Sequence, residues 1–533
     1  MFPMFSPELP RSRSVAFVML HGLTVLALSA CASGPFFDRV GPDYQSADAL
    51  APAQWQAPRP AQSATPQTAT GQTRPATDPG RSAEHPLGVT EQSRSAADPN
   101  RAATDQARVQ DMVHAWARLG DPLLPSLILE AQRVSASLAQ AASRIERARA
   151  DLVAAGVRAE PALDAQGLAQ RSASTMGMVI PGLVGPLSYR SQLTLGAQAS
   201  WEIDLFGGLA RQRELAQAQW QGSLWQWHDA RVSVAAEVAT VYASVRYCER
   251  QQNLAQADAN SRQETARLVA AAGEAGFQSP ATVALARASA SDAAAVLKQR
   301  QAQCMLAIKA LVALTGLSEP ELIAQLREQS ARLPAPSAPP VPAVPAQALA
   351  RRPDIAAAER ELAAASAAIG VAEAQRYPRL ALSGQISPTV VRPAGFSTLS
   401  VVPWSIGPTI SLPLTGDAAR AANTDAARSA YQTAEVSYRA RVRQAVREVE
   451  EALISLHSVQ ERRADVRTAA LGYREALAGA QSRQRAGLGS LIELEDARRT
   501  SLAADAAETA LDHEWLVAWI NLYRALGGGW DGL

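Results

Sequence analysis

Two stretches of this 533-residue chain hold no proline, residues 187–279 and residue 414 to the C-terminus, although the chain has 33 prolines in all. Inside a helix, proline removes a backbone donor and clashes with the preceding turn, at a cost of about 3 kcal/mol. Its exclusion over such lengths points to very long helices, and alanine, glutamate, glutamine and arginine dominate both stretches. A single helix from Leu209 to Ala272 has 64 residues, which is roughly 96 Å at about 1.5 Å per residue. A long helix with one apolar stripe must bury it along another helix. The partner is expected after Gly276 and Pro280, with its alanines and Leu285, Val296 and Leu297 facing the first helix. The expected units are coiled-coil hairpins, the second turning around Gly487 to Ser490.

The two hairpins belong to an internal repeat. AGFQSPATVALAR (275–287) matches AGLGSLIELEDAR (486–498), with Gly276, Ser279 and Arg287 recurring as Gly487, Ser490 and Arg498 at an offset of 211. The same offset carries Glu237 onto Glu448, and Gly207 and Arg211 recur as Gly416 and Arg420 at an offset of 209. Self-similarity that keeps its order over this distance indicates a duplication. The halves are expected at 106–326 and 347–533, joined by the proline-rich linker 327–346.

Ahead of each long helix the hydrophobic period changes from helical to two. In LTLGAQASWEIDL (193–205), Leu193, Leu195, Ala197, Ala199, Trp201, Ile203 and Leu205 alternate with a polar set that includes Glu202 and Asp204. This predicts a strand with one apolar and one polar face. WSIGPTISL (404–412) repeats the alternation, interrupted at Pro408, while RLALSGQI (379–386) and LDAQGLA (163–169) are the other candidates. Four strands per chain cannot close a membrane barrel, because edge N–H and C=O groups would stay unpaired in lipid. Three copies would supply twelve strands and continue as a tube of helices. The expected fold class is an α+β membrane protein, a trimeric 12-stranded barrel continued by an antiparallel coiled-coil tunnel.

At the N-terminus, Arg11 and Arg13 precede the apolar run 15–30, which is too short for a stable span and reads as a signal peptide. Leu28, Ser29 and Ala30 before Cys31 resemble the bacterial lipoprotein box, which implies cleavage after residue 30, a diacylglyceryl and an N-acyl lipid on Cys31, and a tether over 31–50. Ala32 stands where the sorting rule places aspartate in proteins retained at the inner membrane, so the expected destination is the outer membrane. Residues 51–105, rich in Ala, Pro, Gln, Thr and Ser, read as a low-complexity insert. Cys248 and Cys304 lie in helical sequence without paired spacing, and no disulfide framework is expected.

Composition excludes several function classes. Without residues 1–30 the formal charge falls from +1 to about zero, and no basic stripe argues for nucleic acid. Aromatics are only 5% of the chain, and the six histidines at 21, 85, 114, 228, 457 and 513 lack metal-ligand spacing. No nucleophile elbow or phosphate loop stands in usable context, so neither a catalytic residue nor a cofactor is expected.

With these features together, the chain resembles the TolC-type outer-membrane factors, particularly their lipoprotein branch. The resemblance rests on Cys31 with VGPDY (40–44), SWEIDLFGG (200–208), the ARRPDIAAAE block from 350 and the two GxxS tips. It implies a homotrimer in outer-membrane lipid, extending into the periplasm of a Gram-negative bacterium. There it would dock with a periplasmic adaptor protein and serve as exit channel for an inner-membrane efflux transporter. It also implies adaptor contact at Gly276, Phe277, Ser279, Gly487, Leu488 and Ser490, and a pore constriction at Glu493 and Asp496. Arg485 and Arg498 are candidate salt-bridge partners for these carboxylates or for Glu495. Thr282 departs from the acidic residue common at that place, as Gly416-Asp417 departs from an aromatic-bearing turn. The rival class is a lipid-anchored periplasmic coiled coil, structural or adaptor, without a pore.

Overall fold

The computed structural model describes residues 39–46, 51–58, 116, 119–175, 187–328, 332–334, 345–393 and 397–528. The expected signal, Cys31 and most of the expected insert lie outside them. In chain order the elements are α1 (Leu123–Val134), α2 (Ala136–Val157), β1 (Ala162–Thr175), β2 (Leu187–Ile203), α3 (Gly208–Glu274), α4 (Pro280–Thr315), α5 (Glu319–Arg327), α6 (Pro345–Leu349), α7 (Pro353–Ala374), β3 (Arg379–Ile386), β4 (Thr389–Pro393), β5 (Leu399–Val401), β6 (Trp404–Ser411), α8 (Asp417–Arg485) and α9 (Leu491–Ala525). They fall into two compact units, Met1–Ser46 with Glu146–Gln221 and Arg360–Val436, and Ala47–Ile145 with Gly222–Glu359 and Ser437–Leu533.

The first unit holds the sheet, and every pairing in it is antiparallel. β2 pairs with β1 on one side; on the other it pairs with β3 from Ile203↔Leu380 to Ala197↔Ile386, then with β4 from Thr194↔Thr389 to Arg190↔Pro393. β6 and β5 pair with β3 and β4 in turn. Thus β3 with β4, and β5 with β6, are two long strands interrupted at Ser387-Pro388 and Val402-Pro403, where proline cannot donate to the ladder. Carbonyls carry the pairing across the gaps: Leu195 N–H donates to Pro388 O at 3.0 Å and Ser387 N–H to Pro403 O at 2.9 Å. The expected four strands are therefore present as six segments. The interruption expected at Pro408 does not occur, since β6 runs through that residue opposite Leu382.

The register sorts the side chains by face, because directly opposed residues share one. Leu163, Ala199, Gly384 and Ile406 form one row, Ala165, Ala197, Ile386 and Trp404 the next, and Ile203, Leu380 and Ile410 another on the same side. The opposite side carries Asp164, Gln198, Gln385 and Ser405, with Glu202, Thr194 and Thr389. In β2, Leu193 and Leu195 are exposed while Gln192 and Thr194, which alternate with them, are half-buried, so the apolar side is the more open one here. Leu163, Trp404, Ile406 and Ile410 are all more than 70% exposed. Nothing among the described residues covers this face.

The second unit is helical. It holds most of α3 and α8, which begin in the first unit and run for 67 and 69 residues, α3 being slightly longer than the sequence implied, and α4 and α9 run for 36 and 35. In this unit α1 gives way to α2 at Ser135, which is extended and whose Oγ accepts from Leu138 N–H at 3.4 Å. Its largest core joins Trp116, Leu124, Leu127 and Ile128 to Val238, Tyr242, Leu311, Trp519 and Ile520. Trp116 packs on Trp519 and Tyr523 with ring centroids 6.1 and 4.6 Å apart. Burial of each such side chain contributes about 1.5–3 kcal/mol. None of the described helices is long and apolar enough to cross a membrane.

Two expectations change here. Cys248 on α3 and Cys304 on α4 form a disulfide, with Cα atoms 5.3 Å apart. Each lies 28 residues from Gly276, so the hairpin brings them level although no local motif joins them. Part of the low-complexity stretch is also packed: Trp55 and Ala57 are buried with Ala348, Val449, Leu453 and Leu522. The Glu450 carboxylate accepts from the backbone N–H groups of Gln56 and Ala57, both at 2.7 Å. One tryptophan and two backbone donors are enough to fix a segment that composition alone marks as loose.

Candidate functional site

Both hairpin tips close in the same way. α3 ends with Gly276 at φ +80° and α8 with Gly487 at φ +74°, left-handed conformations that a Cβ disfavours. Gly276 N–H donates to Gly273 O at 3.0 Å and Phe277 N–H to Ala272 O at 2.8 Å. Gly487 N–H and Leu488 N–H reach Gln484 O and Arg483 O at 3.1 and 2.9 Å. These are Schellman closures, which satisfy the last carbonyls of each helix. The next helix then starts on a serine cap: Ser279 Oγ accepts from Thr282 N–H and Ser490 Oγ from Glu493 N–H, both at 3.1 Å. Phe277 and Leu488 are left 82% and 80% exposed. Directly behind the turns Val269, Ala286, Ala480, Leu491 and Leu494 form a small core.

Glu493 and Asp496 occupy the first turns of α9 and are both exposed, while Leu491 and Leu494 point into that core. Their spacing of three puts them on one side of the helix. Asp496 accepts from Arg499 at 2.9 Å, an exposed pair. Glu495, between them, faces inward and is the hub of a network of which the sequence offered only the Arg498 pairing. Arg262 Nη1 on α3 donates to it at 3.1 Å, Ser289 Oγ on α4 at 2.6 Å, and Arg498 Nη1 at 2.7 Å. Arg498 also donates to Thr265 Oγ1 at 3.2 Å, and Arg262 pairs with Asp258 at 2.9 Å. Glu495 is 15% exposed and Arg498 6%, so the charges are held largely out of water and pair with one another, while the buried Arg498 Nε has no hydrogen-bond partner. Of the two arginine candidates, Arg498 is the partner of Glu495, while Arg485 makes no ion pair among the described residues. Thr282, where an acid was missing, shares a 2.8 Å hydroxyl contact with Ser279. The first hairpin's acid enters from Asp258, through Arg262.

The most specific motifs hold the frame. Arg352 of RRPD is buried, grips Asp354 at 2.8 Å and Glu448 at 2.7 Å, and donates from Nη1 to Ala525 O at 2.8 Å, capping the end of α9. Nearby Asp229 has its carboxyl pKa raised by burial and by Asp354. In the first unit Arg211 is 2% exposed and holds the VGPDY segment, donating to Val40 O and Gly41 O at 3.3 and 3.1 Å and pairing with Asp43 at 2.7 Å. Gly370 makes room for it, since a Cβ there would lie 2.7 Å from Arg211 Cγ. Among the described residues no group of three or more His, Cys, Asp or Glu is placed to hold a metal.

The chain matches the family described as "Outer membrane efflux protein" over residues 127–317 and 344–528. It is 28% identical over 425 residues to nodulation protein T of Rhizobium leguminosarum bv. trifolii, covering 78% of this chain and 88% of that protein. It is 30% identical over 345 residues to outer membrane protein OprJ of Pseudomonas aeruginosa, covering 64% of this chain and 71% of that one. Among solved structures, the outer-membrane channel OprN superposes with a TM-score of 0.71 at 29% identity, covering 78% of this chain and 92% of that chain. The sheet with its bare apolar face, the two long hairpins and the matched segments agree. The protein is not an enzyme; it belongs to the TolC-type outer membrane efflux protein family, as one subunit of a homotrimeric exit channel that works with a periplasmic adaptor and an inner-membrane transporter.

Proposed function

We propose that this channel is a lipid-anchored duct whose periplasmic aperture is set by Glu493 and Asp496 and whose adaptor contacts are the two tips. The observation that carries the aperture is the placement of these carboxylates on the first exposed turns of α9, fixed by the Ser490 cap and by the burial of Leu491 and Leu494. Three-fold symmetry turns each into a ring of three charges, which favours cations and resists close approach. Arg499 partly neutralises Asp496, so Glu493 carries the larger share. Gly276, Phe277, Ser279, Gly487, Leu488 and Ser490 support the docking role by presenting two exposed apolar side chains on rigid closures. Cys31 supports the anchor through its lipobox, nine residues before the segment gripped by Arg211.

Single-channel conductance in planar bilayers tests the aperture. The wild type is expected to show a small cation-selective conductance, and Glu493→Ala/Asp496→Ala a larger, less selective one, with Glu493→Ala alone giving most of the change. Equal conductance and selectivity in the folded double variant would remove the gate from these residues. The anchor is read separately from the mass of the mature N-terminus, and Cys31→Ser should abolish acylation.

A further inference from the structure

The apolar face of the sheet ends abruptly. Leu193 is flanked on that face by Ala169 and Val390; one row farther from the helices, Ser191 is flanked by Arg171 and Arg392. The two arginines therefore share the apolar face, about 10 Å apart across two strand spacings. Both are exposed, and neither has a carboxylate partner among the described residues. The strand acids Asp164 and Glu202 lie on the other face. The Arg171 guanidinium sits 5.9 Å from the ring centroid of Tyr189, the next residue outward on the same side. A basic pair with an aromatic beside it thus caps an apolar band that contains no charge.

The height of the band fixes where that pair lies. From Ile203 to Leu193 the strand advances ten residues, about 33 Å at about 3.3 Å per residue, or about 25 Å along the membrane normal at a tilt of about 40°. That matches the hydrocarbon layer crossed by a membrane barrel. Arg171 and Arg392, one row beyond, fall in the headgroup layer. The helices are periplasmic, so this row is at the outer leaflet, whose anionic lipid is a phosphorylated glycolipid. Guanidinium forks suit phosphate geometry, and their alkyl stems can lie along the apolar band beneath.

We propose that Arg171 and Arg392, with Tyr189, form a site on each protomer for the phosphoryl groups of an outer-leaflet glycolipid. The inference rests on the outer-membrane placement above and is independent of the tip carboxylates. The test uses the full-length trimer in detergent, with diphosphorylated lipid A, its dephosphorylated form and phosphatidylglycerol as probes and bound lipid counted by native mass spectrometry. The wild type is expected to bind the diphosphorylated form at least about tenfold more tightly than either other probe. Arg171→Gln/Arg392→Gln should lose that preference while keeping wild-type conductance, and Arg171→Lys/Arg392→Lys should keep part of it. Equal binding of all three probes by the wild type, a preference for phosphatidylglycerol, or an unchanged preference in the glutamine variant would overturn the site. The comparison among probes on the wild type decides the matter even if a variant fails to assemble.

Discussion

The two hairpins share their tips and differ in how their shafts are fastened. In the first, the Cys248–Cys304 disulfide ties α3 to α4. At the offset of 211 the second hairpin has Val459 and Trp515. Its cross-links are ionic: Arg474 reaches Asp505 and Glu508, both at 2.6 Å, and Arg462 reaches Glu514 at 2.7 Å, with the arginines nearly half exposed. Near the tip the contrast is repeated, Thr282 and Leu285 standing where the second hairpin has Glu493 and Asp496. The duplication has kept the backbone turn and reassigned the chemistry. The covalent cross-link of one hairpin is indifferent to salt; the other carries the exposed charges, and its ionic cross-links are ones that salt screens. Movement at the proposed aperture is therefore expected to cost least in α8 and α9.

The contrast can be broken from the covalent side first. Cys248→Ser should lower the stability of the α3–α4 hairpin by about 4 kcal/mol on the chain-entropy account of a loop this long. Hydrogen exchange should quicken in α3 and α4 but not in α8. Glu495→Ala removes the carboxylate that joins the hairpins and leaves Arg262 and Arg498 largely buried without it. A loss of about 3 kcal/mol is expected, read as a lower denaturation midpoint together with faster protease cutting near both tips.

Smaller effects sharpen the comparison. Arg474→Ala should cost no more than about 1 kcal/mol, and the difference from wild type should vanish in high salt, whereas the effect of Cys248→Ser should not. At the root of the first hairpin, burial and Asp354 raise the carboxyl pKa of Asp229, so the folded chain holds that proton to higher pH than the unfolded chain does. The contribution is complete below the ordinary carboxylate pKa and is lost as pH rises through the raised value. Asp229→Asn should therefore raise the melting midpoint slightly at neutral pH, and the gain should shrink in acid.

Periodicity made most of the frame legible. The proline-free stretch placed α3 to within two residues at the C-terminal end and one at the N-terminal end, and RLALSGQI is β3 residue for residue. Alternation found β2 and β6 because a one-sided apolar face leaves a period of two. The short β4 and β5 escaped because proline breaks and few residues erase that signal. At the tips, Gly276, Gly487 and the capping serines were visible as turn chemistry. The Glu495 network was not, since Arg262 and Ser289 meet it only through the packing of three helices. The disulfide had a faint signal, its equal distances from Gly276, that means something only once the hairpin is accepted. Trp55 was hidden by the alanine and proline around it.

The interrupted outer strand bears on how the trimer is put together. Among the described residues the sheet has two free edges, β1 on one side and β5 with β6 on the other, and closing the ring seats one protomer's β1 on the next protomer's β5–β6. That receiving edge includes Pro408, a position without an N–H to offer, while the Pro403 carbonyl is turned inward to Ser387 N–H. Alternative alignments of the incoming strand are thus unequal in energy, because a slipped one sets an acceptor against a missing donor. The same gap makes a solitary protomer a poor template for open-ended strand addition. Proline thereby helps the joining edges settle into one register.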